Sequence, residues 1–180
     1  MLIAREKRKE NLAEYILYMW QVEDMLRAFQ MEIRQVEQHL VAGFRVDEAT
    51  RREIGEWYDN LIEMMKREEV TTRGHLQVVK NAMNELSELH LYLLHREMES
   101  HYRRLYADAA PHIEVFRQKS GLSREIPDVE VVLQALYGQF LLRLQKKDIH
   151  SQTRQAMETF SRMIAYLAAK YKQIEENEKG

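Results

Sequence analysis

The sequence predicts an all-α protein, a single-domain bundle of about six to seven mostly antiparallel helices that spans residues 1–180. Six to seven segments carry apolar residues at the three- and four-residue spacing of an amphipathic helix. The chain has only six glycines and two prolines, too few turn formers for a protein built from many β-turns. It is 45% hydrophobic and 31% charged, an ordinary globular composition, and we find no repeat or long linker that would divide it.

The first half of the chain contains three predicted helices. The first runs from about Arg5 to Ala28. A short second helix ends at Gly43, because glycine is suited to the position that follows a helix. Asp47 is predicted to cap the amino terminus of the third helix, which runs to about Glu69.

The fourth and fifth helices follow. The fourth is predicted to begin after a threonine cap within residues 70–72, and its apolar seam has the alternating spacing that antiparallel bundles use. That seam comprises Thr72, Leu76, Val79, Met83, Leu86, His90 and Leu93. The fifth helix carries Met98 on its apolar face and ends at Gly121. Pro111 lies inside it and is expected to kink or restart it.

Two helices remain. The next one has Pro127 in its first turn and 11 apolar residues among the 16 from Val129 to Leu144, so we expect it to be the buried centre of the bundle. Gly138 within it is expected to allow close approach of a neighbouring helix. The last helix begins near Asp148 or Ser151. Its seam comprises Thr153, Met157, Phe160, Ile164, Leu167, Tyr171 and Ile174.

Composition excludes several classes of function. The chain has no cysteine, which excludes disulfides, cysteine-based zinc sites and a thiol nucleophile. Its net charge of −2 argues against nucleic-acid binding, which requires an excess of basic residues. We find neither a secretory signal nor the run of about 20 apolar residues that crosses a bilayer. We therefore expect a cytoplasmic protein without a membrane span.

Motifs for catalysis or metal binding are missing from the sequence. No histidine has a carboxylate three residues before it, no two histidines lie three or four residues apart, and no Gly-x-Ser-x-Gly motif occurs. The nearest approach to a metal site is the pair of interleaved contacts His95/Glu99 and Glu97/His101, which we interpret as solvated ion pairs. We predict no metal, no cofactor and no catalytic residue.

Two polar residues fall on apolar faces and mark a candidate polar pocket or partner-recognition surface. His90 lies in the seam of the fourth helix, where a core histidine with one hydrogen-bond partner is expected. Glu23 lies on the buried face of the first helix, where a carboxylate must be paired. We expect an intrahelical pair of Glu23 with Arg27. The alternative is a recognition surface made of Trp20, Glu23, Asp24 and Arg27.

The end of the last helix predicts self-association. The preceding helix offers about four turns of apolar partner, so the seam is expected to outrun it beyond Ile164. Leu167, Tyr171 and Ile174 would then be exposed, and an exposed apolar stripe usually marks an interface. A two-fold contact is the commonest solution, so we expect a homodimer.

Two stretches carry a family resemblance. Residues 7–24 read KRKENLAEYILYMWQVED, and residues 135–147 contain ALYG and LLRLQKK. With these the chain resembles an uncharacterised bacterial family of similar length, known as a domain of unknown function. The resemblance implies a small all-helical cytoplasmic protein without an assigned activity, and it supplies no catalytic or binding residues.

The sequence therefore predicts a non-catalytic helical bundle that acts through protein–protein contacts, including self-association and a protein partner of unknown identity. Two alternatives belong to other classes. One is a helical regulator that binds a small molecule between its helices. The other is an enzyme whose site is assembled from residues distant in sequence.

Overall fold

The all-α fold class is confirmed. The computed structural model is 80% helical and describes residues 2–96 and 98–179; within these it has eight α-helices, one 3-10 helix at Val41–Gly43 and no strand. No helix of this described part is long and apolar enough to cross a membrane. The α-helices are α1 (Leu2–Glu10), α2 (Leu12–Ala28), α3 (Ile33–His39), α4 (Glu48–Arg67), α5 (Gln77–His95), α6 (Ser100–Ser120), α7 (Asp128–Leu144) and α8 (Ser151–Lys179).

The first predicted helix is in fact two helices. It begins at Leu2 rather than near Arg5, and it is interrupted at Asn11. Asparagine is a poor residue inside a helix and a good one at the position that precedes a helix. Asn11 stands immediately before Leu12, the first residue of α2, so the predicted helix is divided into α1 and α2.

The described chain forms two compact units. The first contains residues 2–8 and 14–81, and in it α3 and the 3-10 helix pack against α4. The predicted cap of α4 is confirmed, because the Asp47 carboxylate accepts a hydrogen bond from the main-chain N–H of Thr50 at 2.9 Å. The expectation of a single domain over residues 1–180 stays a prediction.

The start of α5 differs from the predicted one. The chain is not helical at Thr72, and α5 begins only at Gln77. Its capping groups come from other helices rather than from a local threonine. Glu23 of α2 accepts the N–H of Leu76 at 2.9 Å, and Glu68, just after α4, accepts the N–H of Gln77 at 2.6 Å. These carboxylates satisfy N–H groups that the start of a helix leaves without helical partners.

The second unit contains residues 9–13, 82–96 and 98–179, and in it α6, α7 and α8 pack against one another. The expected restart at Pro111 is wrong, since α6 runs through Pro111 as one helix, and a kink there stays a prediction. Met98 lies before α6 and is 95% exposed, so it does not belong to the apolar face. Gly121 ends α6 in the left-handed region at φ 65°, which glycine adopts without steric cost.

Only the first half of α7 is buried as predicted. Its residues from Val129 to Ala135 are buried except for two polar ones. The second half is not central to the unit: Leu142 is 37% and Leu144 65% exposed. A Cβ atom at Gly138 would meet no described residue within 4 Å, so this glycine does not serve a close helix contact. A helix that is apolar on all sides is thus half covered within the described chain.

Candidate functional site

The predicted cluster around Glu23 forms in the first unit, where α2 meets the loop before α5. The Glu23 carboxylate is fully buried and accepts hydrogen bonds from the N–H of Leu76 at 2.9 Å and from Nδ1 of His75 at 2.6 Å. The Trp20 ring stacks on the His75 ring with centroids 4.8 Å apart. Because a buried carboxylate is costly unless it is hydrogen-bonded, these contacts allow Glu23 to lie inside.

The expected pair of Glu23 with Arg27 is wrong. The Arg27 guanidinium donates instead to the Asp24 carboxylate at 2.9 Å, to the main-chain carbonyl of Val70 at 3.1 Å and to that of Gly74. An arginine has five N–H donors in a fixed fork, which suits it to loop carbonyls that lack partners in secondary structure. The carboxylate of Glu23 is occupied by the next two residues of the same loop, His75 and Leu76.

We call Trp20, Glu23, Asp24, Arg27 and His75 the clasp, because together they fasten residues 70–76 to α2. Four of the five are the residues that the sequence brings forward as a candidate pocket. His75 is not among them, and no spacing in the sequence indicates it, since it stands 52 residues from Glu23. Each Glu23 oxygen has a partner within the chain, an arrangement suited to holding the loop.

His90, the fifth candidate residue, lies in the second unit. It is 4% exposed, and its Nδ1 lies 2.7 Å from the hydroxyl of Tyr102. The Tyr106 ring packs edge-on against it, with centroids 4.9 Å apart. Burial lowers the pKa of His90, and the negative charge of Asp128 acts in the opposite direction. His90 is therefore the core histidine that its seam position predicts.

A polar network surrounds His90. Burial raises the pKa of Tyr102 above its usual range, and burial together with the nearby Asp128 raises that of Tyr106 to about 12. Both hydroxyls consequently keep their protons near neutral pH. Tyr106 donates to Asp128 at 2.7 Å, and the Tyr102 ring stacks on Tyr166 with centroids 5.6 Å apart.

Glu99 bonds two side chains of α8 and is not paired with His95. It accepts hydrogen bonds from Lys170 at 3.0 Å and Tyr166 at 2.8 Å. The bond from the Lys170 ammonium is the largest of the influences that lower the pKa of Glu99. His95 bonds the main-chain carbonyl of Leu91 at 2.7 Å. Glu97, the fourth residue of the interleaved pairs, lies outside the described residues.

We expect His90 to make stability depend on pH. Its pKa in the folded chain lies below the ordinary 6.5, so in the window between the two values the unfolded chain binds the additional proton. Its contribution is complete above about pH 6.5 and is lost as the pH falls to the folded pKa, by about 1.4 kcal/mol per pH unit of that window. His90→Gln should reduce the loss of stability between about pH 7.5 and 5, measured by urea unfolding.

His112→Gln is the control for the loss of an imidazole outside this network, because His112 is a half-buried residue of α6. The carboxylates of Glu10 and Glu99 also have lowered pKa values, but their stabilisation is lost only below about pH 4.5. A His90→Gln protein with the pH dependence of the wild type would contradict the prediction.

The residues expected to be exposed for self-association occupy three different environments. Leu167 is fully buried, so its expected exposure is wrong. The reason is that α6 as well as α7 packs along α8, and the helix does not outrun its neighbours there. Tyr171 donates its hydroxyl to Glu85. Ile174 alone remains as expected, at 38% exposure.

The face of α8 that lies opposite its buried seam is exposed. Its residues follow one another at helical spacing, and all are exposed except Lys172, which is half-buried. We call this face the α8 stripe, and it comprises Arg154, Glu158, Ser161, Ala165, Ala169, Lys172 and Glu176. Beside its first half lies a groove of about 540 Å³. Gln139 and Arg143 of α7 line one wall of the groove, and Arg162 lies on its α8 side.

No group of three or more histidine, cysteine, aspartate or glutamate residues in the described ranges is placed to hold a metal ion. The expectations of no metal, no cofactor and no catalytic residue stay predictions.

One of the comparisons with known proteins gives a match. The family model described as "Domain of unknown function (DUF4924)" matches residues 1–178. No curated protein and no solved structure matches the chain.

Proposed function

From the premise that the chain belongs to the DUF4924 family, a domain of unknown function, we propose that it is a non-catalytic helical protein that acts through protein–protein contacts as a two-fold symmetric homodimer. The order of charges along the α8 stripe is the observation that carries this proposal. Symmetric contacts of this kind are the commonest way in which a soluble chain self-associates.

The charges of the α8 stripe are arranged symmetrically about Ala165. Arg154 and Glu158 stand eleven and seven residues before it, and Lys172 and Glu176 stand seven and eleven residues after it. When two copies of a helix pack antiparallel about a two-fold axis at Ala165, residues equally distant from Ala165 face each other. Arg154 then faces Glu176 of the second copy, Glu158 faces its Lys172, and symmetry makes each contact twice. Every charge of the stripe then meets an opposite charge of the second copy, and Lys172 also pairs with Glu10 of its own chain at 2.5 Å.

The groove beside the α8 stripe adds to the charge complementarity between the two copies. It is lined by Arg143, Arg154 and Arg162 against the single carboxylate of Glu158. In the antiparallel arrangement the end of the second copy's α8, with three glutamates in residues 175–178, lies over this basic groove. The stripe extends over 23 residues from Arg154 to Glu176, about 33 Å of helix, so the paired surfaces are long enough for several turns of contact.

The second half of α7 supports a role in protein contacts. Leu142 and Leu144 are exposed at the end of this apolar helix, and exposed apolar surface of this kind usually marks an interaction site. Leu142 stands one turn after Gln139, a groove residue, so it borders the surface proposed for the dimer. Leu144 is available to a different protein partner.

The test is a charge exchange between Arg154 and Glu176. Arg154→Glu should weaken the dimer about tenfold, because two attractive contacts become repulsive and each exposed pair contributes up to about 1 kcal/mol. Glu176→Arg should do the same, and the double variant should restore the affinity of the wild type. Dissociation constants come from sedimentation equilibrium, with the molecular mass checked by light scattering.

Arg124→Glu is the control, since Arg124 is an exposed loop residue outside the stripe and its reversal changes the net charge equally. Ala165→Arg gives a second readout: its side chains meet at the axis, so it should produce a monomer with an unchanged melting temperature. Ala107→Arg, at an exposed alanine of α6, should remain a dimer. A wild-type monomer at tens of micromolar, or a double variant as weak as the singles combined, would overturn the proposal.

The cytoplasmic location and the absence of nucleic-acid binding stay predictions from the sequence. The ligand-binding regulator and the enzyme with an unrecognised site stay alternatives. Either would be favoured over the dimer if the wild type were a monomer at tens of micromolar.

A further inference from the structure

A cleft in the first unit has the dimensions of a small-molecule site. Its volume is about 560 Å³, within the range of pockets that hold small ligands. The floor is apolar and buried, made by Ala4 of α1, Tyr15 of α2 and Ile54 of α4. Phe44, Val46 and Trp57 form the walls, and all three are half-buried. Apolar and aromatic side chains are therefore available to a ligand body.

The polar groups of the cleft are mainly cationic. Arg5 and Arg8 both line it and stand one turn apart on α1, against one carboxylate, that of Glu53. The Arg8 guanidinium lies over the Tyr15 ring, 5.4 Å from its centroid, so a cation–π contact holds it against the floor. Thr50 also lines the cleft, and its hydroxyl donates to the Asp47 carboxylate at 2.8 Å.

We propose that this cleft binds an amphipathic anion, a small molecule with an aliphatic or aromatic body and one carboxylate. The body covers the floor and packs between Phe44 and Trp57. The carboxylate meets the guanidinium of Arg8, whose planar fork matches a carboxylate with two parallel hydrogen bonds. Arg5 adds a second positive charge at the rim. None of these residues belongs to the α8 stripe, so the proposal is independent of the homodimer.

The ligand class follows from the combination of groups. A cationic amphiphile would bring its charge against two arginines and one glutamate. A neutral chain of equal length would gain the apolar contacts but no charge–charge attraction to Arg5 and Arg8. An anion gains both sets of contacts.

Three probes of equal chain length test the proposal: decanoate, decanol and decyltrimethylammonium. Each is titrated into the full chain by isothermal titration calorimetry, with tryptophan fluorescence as a second readout because Trp57 lines the cleft. We expect saturable binding of one decanoate per chain, at least tenfold tighter than either other probe. Arg8→Gln should weaken decanoate about tenfold and leave decanol unchanged, and Arg34→Gln, at an exposed residue of α3, should change neither.

Val46→Trp keeps both arginines and fills the cleft, so it should abolish decanoate binding while circular dichroism remains that of the wild type. This variant decides the result if Arg8→Gln fails to fold. Equal affinities for the three probes, no saturable decanoate binding, or full binding by Val46→Trp would each overturn the proposal.

Discussion

Arg117→Met is expected to lower the free energy of unfolding by about 3 kcal/mol. Arg117 is 4% exposed, and its guanidinium donates to the main-chain carbonyls of Ser123 at 2.6 Å and Ile126 at 3.0 Å and to the Asp128 carboxylate at 2.6 Å. Methionine fills similar volume without a donor, so the substitution removes the hydrogen bonds with little change in packing.

The size of this effect follows from what the guanidinium holds together. Arg117 lies near the end of α6, while its three partners lie in the loop before α7 and in the first turn of that helix. Without it, two carbonyls lose their donor, and Asp128, whose side chain is 27% exposed, loses its ion-pair partner. Removing one member of a largely buried pair costs more than the pair contributes, because the remaining charge stays desolvated.

Urea unfolding followed by circular dichroism measures the change. Arg104→Met is the matched control, since Arg104 is an exposed residue of the same helix and its loss should cost less than about 0.5 kcal/mol. Arg117→Lys should be intermediate, because a lysine retains the charge but not the fork. An Arg117→Met protein as stable as the control would refute this role.

Glu23→Ala should lower the free energy of unfolding by about 3 kcal/mol as well. The substitution leaves the N–H of Leu76 without its acceptor, removes the partner of His75 and opens a cavity in a fully buried position. Glu23→Gln retains an acceptor oxygen and the volume, so it should cost less. Hydrogen exchange at the Leu76 amide should become faster in Glu23→Ala, which reports on the clasp directly.

Glu88→Ala is the control for the loss of a glutamate, because Glu88 is exposed on α5. A double-mutant cycle distinguishes the Glu23–His75 contact of the structure from the Glu23–Arg27 pair that the sequence spacing predicts. Glu23 should couple to His75 by about 1 kcal/mol or more, and the coupling of Glu23 to Arg27 should be weaker, since they share no direct contact. If Glu23 coupled more strongly to Arg27 than to His75, the result would support the intrahelical pair instead.

The hydrogen-bond partners of buried polar residues cannot be predicted from neighbouring residues in the sequence alone. Glu23 was recognisable as buried, because the apolar residues around it have helical spacing. The hydrogen-bond partner of Glu23 was not recognisable in the same way. Spacing along α2 identifies only neighbours one turn away, and Arg27 is such a neighbour but does not bond Glu23. The true partner lies 52 residues further on, and its position depends on how residues 70–76 return to α2.

The apolar patterns also predict some features of the fold correctly and fail to predict others. The predicted seam from Leu76, just before α5, to Leu93 within it is buried as its spacing predicts. The Asp47 cap is equally local, because its hydrogen-bond donor is Thr50, three residues on. In α7 the apolar pattern predicts burial along the entire helix, and only the first half is covered. A pattern shows which side chains gain by leaving water, but whether they do so depends on the length and course of the neighbouring helices.

The all-α class, the cap of α4 and the identity of the buried residues Glu23 and His90 therefore follow from the sequence, because helix periodicity and capping are local interactions between residues a few positions apart. The late start of α5 and the partners of the buried charges are visible only in the tertiary structure. So is the choice of exposed face on α8, where Leu167 is covered and Ala165 is not. These features are decided by contacts between segments far apart in the chain, and a buried charge or an apolar face takes whichever partner the folded chain brings within reach.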